Sequence, residues 1–311
     1  MFFASWQRFP AYRTLGAVGA AIAAAIVVAL GTLSGRPAAE IAIVTLTAPS
    51  SFLLAVKLSV VAFGHERIVF YEKTLFVLGA TALALQLAGR APGRGLDLSA
   101  LGIGVFLIFG RCGCYTVACC YGCPARRGVS YGEEHARAGF PRWLLGRSLL
   151  PLQLIDAGLS AVAVTAALII WSADSPPGHA AAVYLVVYGL GRFVEERFRF
   201  DAARPRWCGA SEAQWTALLI AWGVVLLVGT HWWTIANAAI LSAAFVIVVA
   251  TPRRLTDAWH VAELADKLRG LEAQAIKRVV TTLGIHARHP RHRCPPRHSC
   301  RPGARLHRLC P

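Results

Sequence analysis

Charge is the scarcest property of this sequence. Only 15% of its 311 residues are Asp, Glu, Lys or Arg, whereas a soluble globular domain carries roughly a quarter. With 56% hydrophobic residues and a mean hydropathy of +0.52, that shortage excludes a water-soluble fold and puts the chain in a bilayer. Nucleotide motifs are missing as well. Gly102-x-Gly104 lies inside an apolar run and follows no strand, so it is not a phosphate-binding loop and no cofactor is expected. There is no internal repeat, and no connection between apolar runs is long enough for a soluble domain. Nor do the nine cysteines make a secreted disulfide framework, because five fall between Cys112 and Cys123 and three in the C-terminal tail. The redox compartment therefore stays open.

What the sequence does have is positive charge at chosen places. A formal net charge of +16 would suit nucleic acid, but the cations lie in loops between apolar runs and in the tail. That arrangement fits anionic headgroups, so membrane lipid is the expected contact and nucleic acid is not. Eight apolar runs approach or meet the roughly 20 residues needed to cross hydrocarbon: residues 15–33, 41–63, 69–88, 98–117, 150–171, 180–200, 215–228 and 234–250. The first follows Arg8 and Arg13 and lacks a convincing cleavage site after it, so it reads as a retained span rather than a signal peptide. The expected fold is an all-α polytopic membrane protein with seven or eight transmembrane helices over residues 1–252, and residues 118–149 forming a small cap on the helix ends. Residues 253–285 hold Val261, Leu264, Leu268, Leu271 and Ala275 at helical spacing, which predicts an amphipathic helix. Residues 286–311 are rich in Arg, His, Pro and Cys and predict a disordered tail.

Chemistry is sought where charge is expensive. An arginine inside a span costs several kcal/mol on insertion scales and usually faces a cavity, a partner or a substrate. Arg111 ends the uncharged stretch of residues 98–110, and Arg192 falls near the end of the sixth run. On a helix, Arg192, Glu196 and Arg199 stand at i, i+4 and i+7, one face carrying arginine, carboxylate and arginine. Planar guanidinium forks suit phosphate, so Arg111 and Arg192 are expected to share a functional cavity. Glu195, Arg197 and Arg199 read as interface anchors.

These residues resemble a family. Gly110-Arg111-Cys112-Gly113-Cys114-Tyr115 followed by Cys119-Cys120-Tyr121-Gly122 is similar to the glycine-arginine signature of bacterial prolipoprotein diacylglyceryl transferases. Pro151-Leu152-Gln153-Leu154-Ile155-Asp156 resembles a second element of that family, Arg192-Phe193 with Glu196, Arg199 and Asp201 a third, and Ser211 with Gln214 a fourth. The resemblance covers residues 98 to about 228, leaving the N-terminal spans and everything after Pro252 outside it. It implies a multi-pass protein of the bacterial inner membrane that moves a diacylglyceryl group from phosphatidylglycerol to the lipobox cysteine of a prolipoprotein signal peptide. Arg111, Arg192 and Glu196 would be catalytic, the two arginines neutralising the phosphate and Glu196 orienting Arg192. Gly110, Gly113, Tyr121, Gly122, Gln153 and Arg199 would bind substrate.

Departures from the family pattern are equally specific. Cys114 stands where the family carries asparagine and Cys119 where it carries glutamate, and the histidine-glycine-glycine element before the signature is missing. Glu72 and His135 are what remains as a possible base. The lysine and arginine distribution puts residues 118–149 on the cytoplasmic side, whereas the resemblance implies the outer side. A second reading comes from the cysteines. Continued as one helix, Cys112, Cys119 and Cys123 fall at i, i+7 and i+11, a convergence suited to soft metal or thiol chemistry. On that reading the chain would be a non-catalytic homologue that handles thiols or metal in the membrane, although free cysteines also pack well between helices.

Overall fold

The computed structural model describes residues 10–64, 70–200, 206–229 and 231–250, together with residue 274. The expected amphipathic helix and tail lie outside the described residues except for Gln274. Each of the eight apolar runs becomes one helix: α1 (Pro10–Leu33), α2 (Ala38–Phe63), α3 (Phe70–Leu87), α4 (Gly93–Thr116), α6 (Leu152–Ser172), α7 (His179–Glu195), α8 (Glu212–Val228) and α9 (Trp232–Ala250). Five of them, α1, α2, α4, α6 and α9, are long and apolar enough to cross a membrane. The other three are shorter or more polar, α3 carrying Glu72 and Lys73 and both α7 and α8 having 17 residues. The chain is thus an all-α multi-pass membrane protein.

The bundle is built around α4, which touches α1, α2, α3, α6 and α7. Of its spanning stretch 56% is buried, against 22–33% in the other four long spans. Small residues permit this closeness, as they do between membrane helices generally. A Cβ on Gly104 would lie 2.4 Å from Val164 and 2.6 Å from Tyr184, and one on Gly95 would lie 2.3 Å from Leu85. Ser160 on α6 donates to the Gly104 carbonyl at 2.9 Å, a side-chain bond that crosses directly between two backbones.

Polar contacts fix the ends of the helices. Buried Lys73 donates from Nζ to the Ala55 carbonyl at 3.0 Å and also to Ser59, joining α3 to α2. Ser211 caps α8 reciprocally, its Oγ accepting from Gln214 N at 3.4 Å and its own N donating to Gln214 Oε1 at 3.1 Å, the arrangement known as a capping box. Gln214 Nε2 also reaches the Phe193 carbonyl, so the fourth family-like element ties α8 to the end of α7.

Between α4 and α6 the chain forms the cap that the sequence leads one to expect. It contains β1 (Pro124–Val129), the short helix α5 (Glu133–Arg137) and a single 3-10 turn (Arg142–Leu144). Pro124 and Val129 bridge to Leu149, around a small core of Tyr121, Tyr131, Phe140, Leu144, Leu149 and Phe200. A second small sheet pairs β2 (Arg206–Trp207) with β3 (Ala210–Ser211) antiparallel. Two expectations fail here. The fourth run stops being helical at Thr116 and the sixth at Glu195, so neither Cys112 to Cys123 nor Arg192 to Arg199 shares one continuous helical face.

Candidate functional site

At the capped end of the bundle, charged side chains from three helices meet in the interior. Arg111 from α4 and Asp156 from α6 form an ion pair, Nε to Oδ2, at 2.7 Å. Arg192 from α7 approaches the same Oδ2 at 4.0 Å. The remaining oxygen of Asp156 accepts from the Tyr188 hydroxyl at 2.9 Å. Arg192 is itself paired at 2.8 Å with Glu196 and approaches Glu195 at 3.7 Å. All of these charged residues, and Arg199 with them, are buried. Burial is what makes the arrangement costly, since an unpaired charge costs roughly 2.5–3.5 kcal/mol at the centre of a span on insertion scales.

Three formal positive charges, Arg111, Arg192 and Arg199, face three negative ones, Asp156, Glu195 and Glu196. The balance is not matched by full hydrogen bonding. Nη1 of Arg192 and both oxygens of Glu195 are buried with no hydrogen-bond partner among the described residues, although buried polar groups are nearly always satisfied. Tyr71, buried and in edge contact with Tyr188, also leaves its hydroxyl unpartnered. The cluster therefore holds buried polar atoms whose hydrogen bonds are not made within it.

The loops above it are locked by backbone pairing. Gly122 N donates to the Leu150 carbonyl at 3.1 Å and Cys123 N to the Phe198 carbonyl at 2.8 Å, while Leu150 N donates to the Cys123 carbonyl at 2.9 Å and Phe200 N to the Tyr121 carbonyl at 3.2 Å. Residues 121–123 thus lie between the start of α6 and the segment after α7, and Gly122 bridges to Arg199. A Cβ at Gly122 would fall 2.8 Å from the Leu150 backbone oxygen, so glycine is required for that approach. Gly113 is packed against Tyr12 of α1, but Gly110 meets nothing within 4 Å. Gln153 donates from Nε2 to the Cys119 carbonyl at 2.6 Å and to the Tyr131 hydroxyl at 3.2 Å. Burial pushes Tyr131 up to about 12, so its hydroxyl stays protonated.

The two candidate bases fall elsewhere. The Glu72 side chain is 42% exposed and pairs with Lys73. His135 lies in the cap, its Nδ1 accepting from Gly132 N at 3.3 Å and its ring 5.0 Å from that of Tyr131, one residue removed from Gln153. The expected interface anchors also need correction: Glu195 and Arg199 are buried in the cluster, because the cap covers this end of the bundle. Asp156 is the residue that sequence reasoning passed over. Its signal was an acid inside an apolar run, three positions after Gln153 and hence on the same helical face.

The cysteines converge, but not as the helical extrapolation had it. Ala118 and Cys120 adopt left-handed backbone, with φ of 53° and 59°, a conformation costing non-glycine residues about 1–3 kcal/mol. These two turns fold the chain back so that the sulfurs of Cys114, Cys119 and Cys120 lie within 4.8 Å of one another. Cys112 is outside that group and Cys123 is disulfide-bonded, which removes the set Cys112, Cys119 and Cys123. Hydrogen bonds from Cys114 and Cys119, helped by the charges of Arg199 and Arg111, hold Cys120 well below the usual thiol range. Cys119, facing the other two, is pushed well above it.

Fold and site together define a multi-pass helical membrane protein with a buried, charge-rich polar centre under a small cap. The family model described as prolipoprotein diacylglyceryl transferase matches residues 20–233, more than half of the chain, and the chain belongs to that family. The match begins within α1, so the N-terminal spans are part of the family domain and not outside it. No curated protein sequence matches the chain. Membership makes it a transferase-family protein of lipoprotein maturation.

Proposed function

We propose that this chain transfers a diacylglyceryl group from phosphatidylglycerol to the lipobox cysteine of a prolipoprotein signal peptide, within a bacterial inner membrane. The observation that carries the reading is the convergence of Arg111 and Arg192, from different helices, on one oxygen of Asp156, at 2.7 and 4.0 Å. Two forks that meet on one carboxylate oxygen can also meet on a phosphate of similar size, which would compete with Asp156 for them. In the reaction, the preprotein sulfur forms a bond to the glyceryl carbon, the bond from that carbon to phosphate oxygen breaks, and glycerol phosphate leaves with the electron pair. Fixed guanidinium groups at the departing oxygens stabilise the growing charge without reorganisation.

The thiol proton needs an acceptor. Glu195 is buried, neither of its oxygens accepts a hydrogen bond among the described residues and its cation contact is the 3.7 Å approach of Arg192, and we assign it that role in place of Glu72 or His135. Glu196 orients Arg192 through its 2.8 Å contact. Gly122 and Tyr121, packed between the α6 and α7 ends, set the wall of the site, with Gln153 and Arg199 beside them. Gly113 holds α4 close to α1, and Gly110 leaves open space beside Arg111. Complementation of a strain depleted of its own transferase tests the reading. The wild-type chain restores growth and lipoprotein modification, and the Arg111→Ala and Arg192→Ala variants do not. Failure of membrane-inserted wild-type protein to rescue would overturn it.

A further inference from the structure

The transfer as proposed assigns no role to Cys114, Cys119 and Cys120. Their sulfurs lie within 4.8 Å of one another, and all three are free thiols. A soft metal ion bound to thiolate sulfur at about 2.3 Å in a trigonal plane requires sulfurs about 4 Å apart. Adjustment by less than an ångström, within reach of side-chain torsions, would close such a site. Among the described residues no histidine, carboxylate or fourth cysteine joins the group.

We propose that Cys114, Cys119 and Cys120 form a three-sulfur site for a soft monovalent cation of the copper(I) class. Thiolate ligands select copper(I), zinc and iron–sulfur centres over hard cations. Zinc in structural sites takes four ligands almost without exception, and this group offers three. Charge is accommodated as well. Three thiolates and one monovalent cation leave two negative charges, and both Arg111 and Arg199 attract Cys120. Tyr12 packs over Gly113 beside the cluster, shielding it from the α1 side. The backbone supports the same conclusion, because two left-handed residues, Ala118 and Cys120, are needed to turn Cys119 and Cys120 back toward Cys114. Cys119 Sγ already reaches the Cys114 carbonyl at 3.7 Å. The inference stands apart from the transfer reaction and does not rest on it.

The test uses the full chain purified in lipid nanodiscs and supplied anaerobically with copper(I) against a competing chelator. Expected are one copper retained per chain and an X-ray absorption spectrum with three sulfur neighbours and no nitrogen or oxygen. Cys114→Ser, Cys119→Ser and Cys120→Ser each weaken retention at least 100-fold, while Cys112→Ser and Cys208→Ser leave it unchanged. The coordination number is read on wild-type protein, so a variant that folds poorly does not decide the matter. Retention unaffected by the three substitutions, two or fewer sulfur neighbours, or tight zinc binding without copper binding would overturn the proposal. A chain that holds copper but fails to transfer lipid contradicts the reaction and not this site, and the reverse result contradicts this site alone.

Discussion

The two ends of the helical bundle each bury charge, and they do so differently. At the uncapped end, Asp97 of α4 is fully buried and accepts from Gly178 N at 2.9 Å and from Ala181 N at 2.8 Å. It caps the start of α7 across the helix boundary, with Arg94 4.0 Å away and in turn bonded to Asp174. Every oxygen of Asp97 has its donor. At the capped end, five other charges crowd around Asp156, and among the described residues buried atoms of Arg192 and Glu195 have no hydrogen-bond partner. A satisfied buried carboxylate is explained by the fold it holds together. An under-bonded cluster of the same kind costs stability without returning it, which is the expected mark of a site that completes its bonds with substrate.

Substitutions at the two ends should therefore separate activity from stability. The largest loss of transfer is expected for Arg111→Ala and Arg192→Ala, about 10²–10³-fold or more each, the usual effect of removing one electrostatic donor at a developing anion. Lysine at either position restores charge but not the planar fork, and recovers little. Glu195→Gln keeps the shape and removes the proton acceptor, and should lower turnover about 10²-fold with little change in lipid binding, measured as kcat against KM. Asp156→Asn weakens the common anchor of the two arginines. It should reduce turnover by less, about 10-fold if Tyr188 still holds the residue, and chiefly raise the KM for lipid. Asp97→Ala sits at the far end of this series. It orphans two backbone N–H groups at a cost of about 1–3 kcal/mol each, seen as a lower Tm, and leaves the turnover of folded protein unchanged. A catalytic loss at Asp97 equal to that at Arg111 would erase the distinction between the two ends.

How much of this was legible in the sequence varies with the physics involved. The all-α, multi-pass fold was, and helices form over the apolar runs, because such runs in a low-charge chain satisfy their backbone groups in a bilayer as helices. The pairing of Arg111 with Arg192 was also legible, since each is a cation in an apolar run. The carboxylate that joins them was not assigned, because Asp156 sits in the first turns of its run and reads like one more charge at a span end. Glu195 and Arg199 were misplaced for the same reason: end-of-span charges ordinarily reach for water, and only the folded cap shows that water is kept from them. The cysteine set was wrong by extrapolation. Nothing in Thr116-Val117-Ala118 signals that the helix stops, no glycine or proline among them, and the left-handed turn at Ala118 is imposed by tertiary packing of the loop. Ser211 and Gln214 show the converse. Their spacing is a capping signal in its own right, so this element of the family resemblance has a purely structural explanation.

On the proposed mechanism, Arg111 and Arg192 together bind and expel the phosphate of the lipid donor. That role is tested most directly by mixing the purified chain, in vesicles containing phosphatidylglycerol, with a lipobox peptide, and following thioether-linked diacylglyceryl peptide together with released glycerol phosphate. Equal amounts of both products are expected from wild-type protein and neither from the Arg111→Ala, Arg192→Ala double variant. Transfer by the double variant at a rate near that of the wild type would contradict the mechanism, as would the absence of both products with folded wild-type protein.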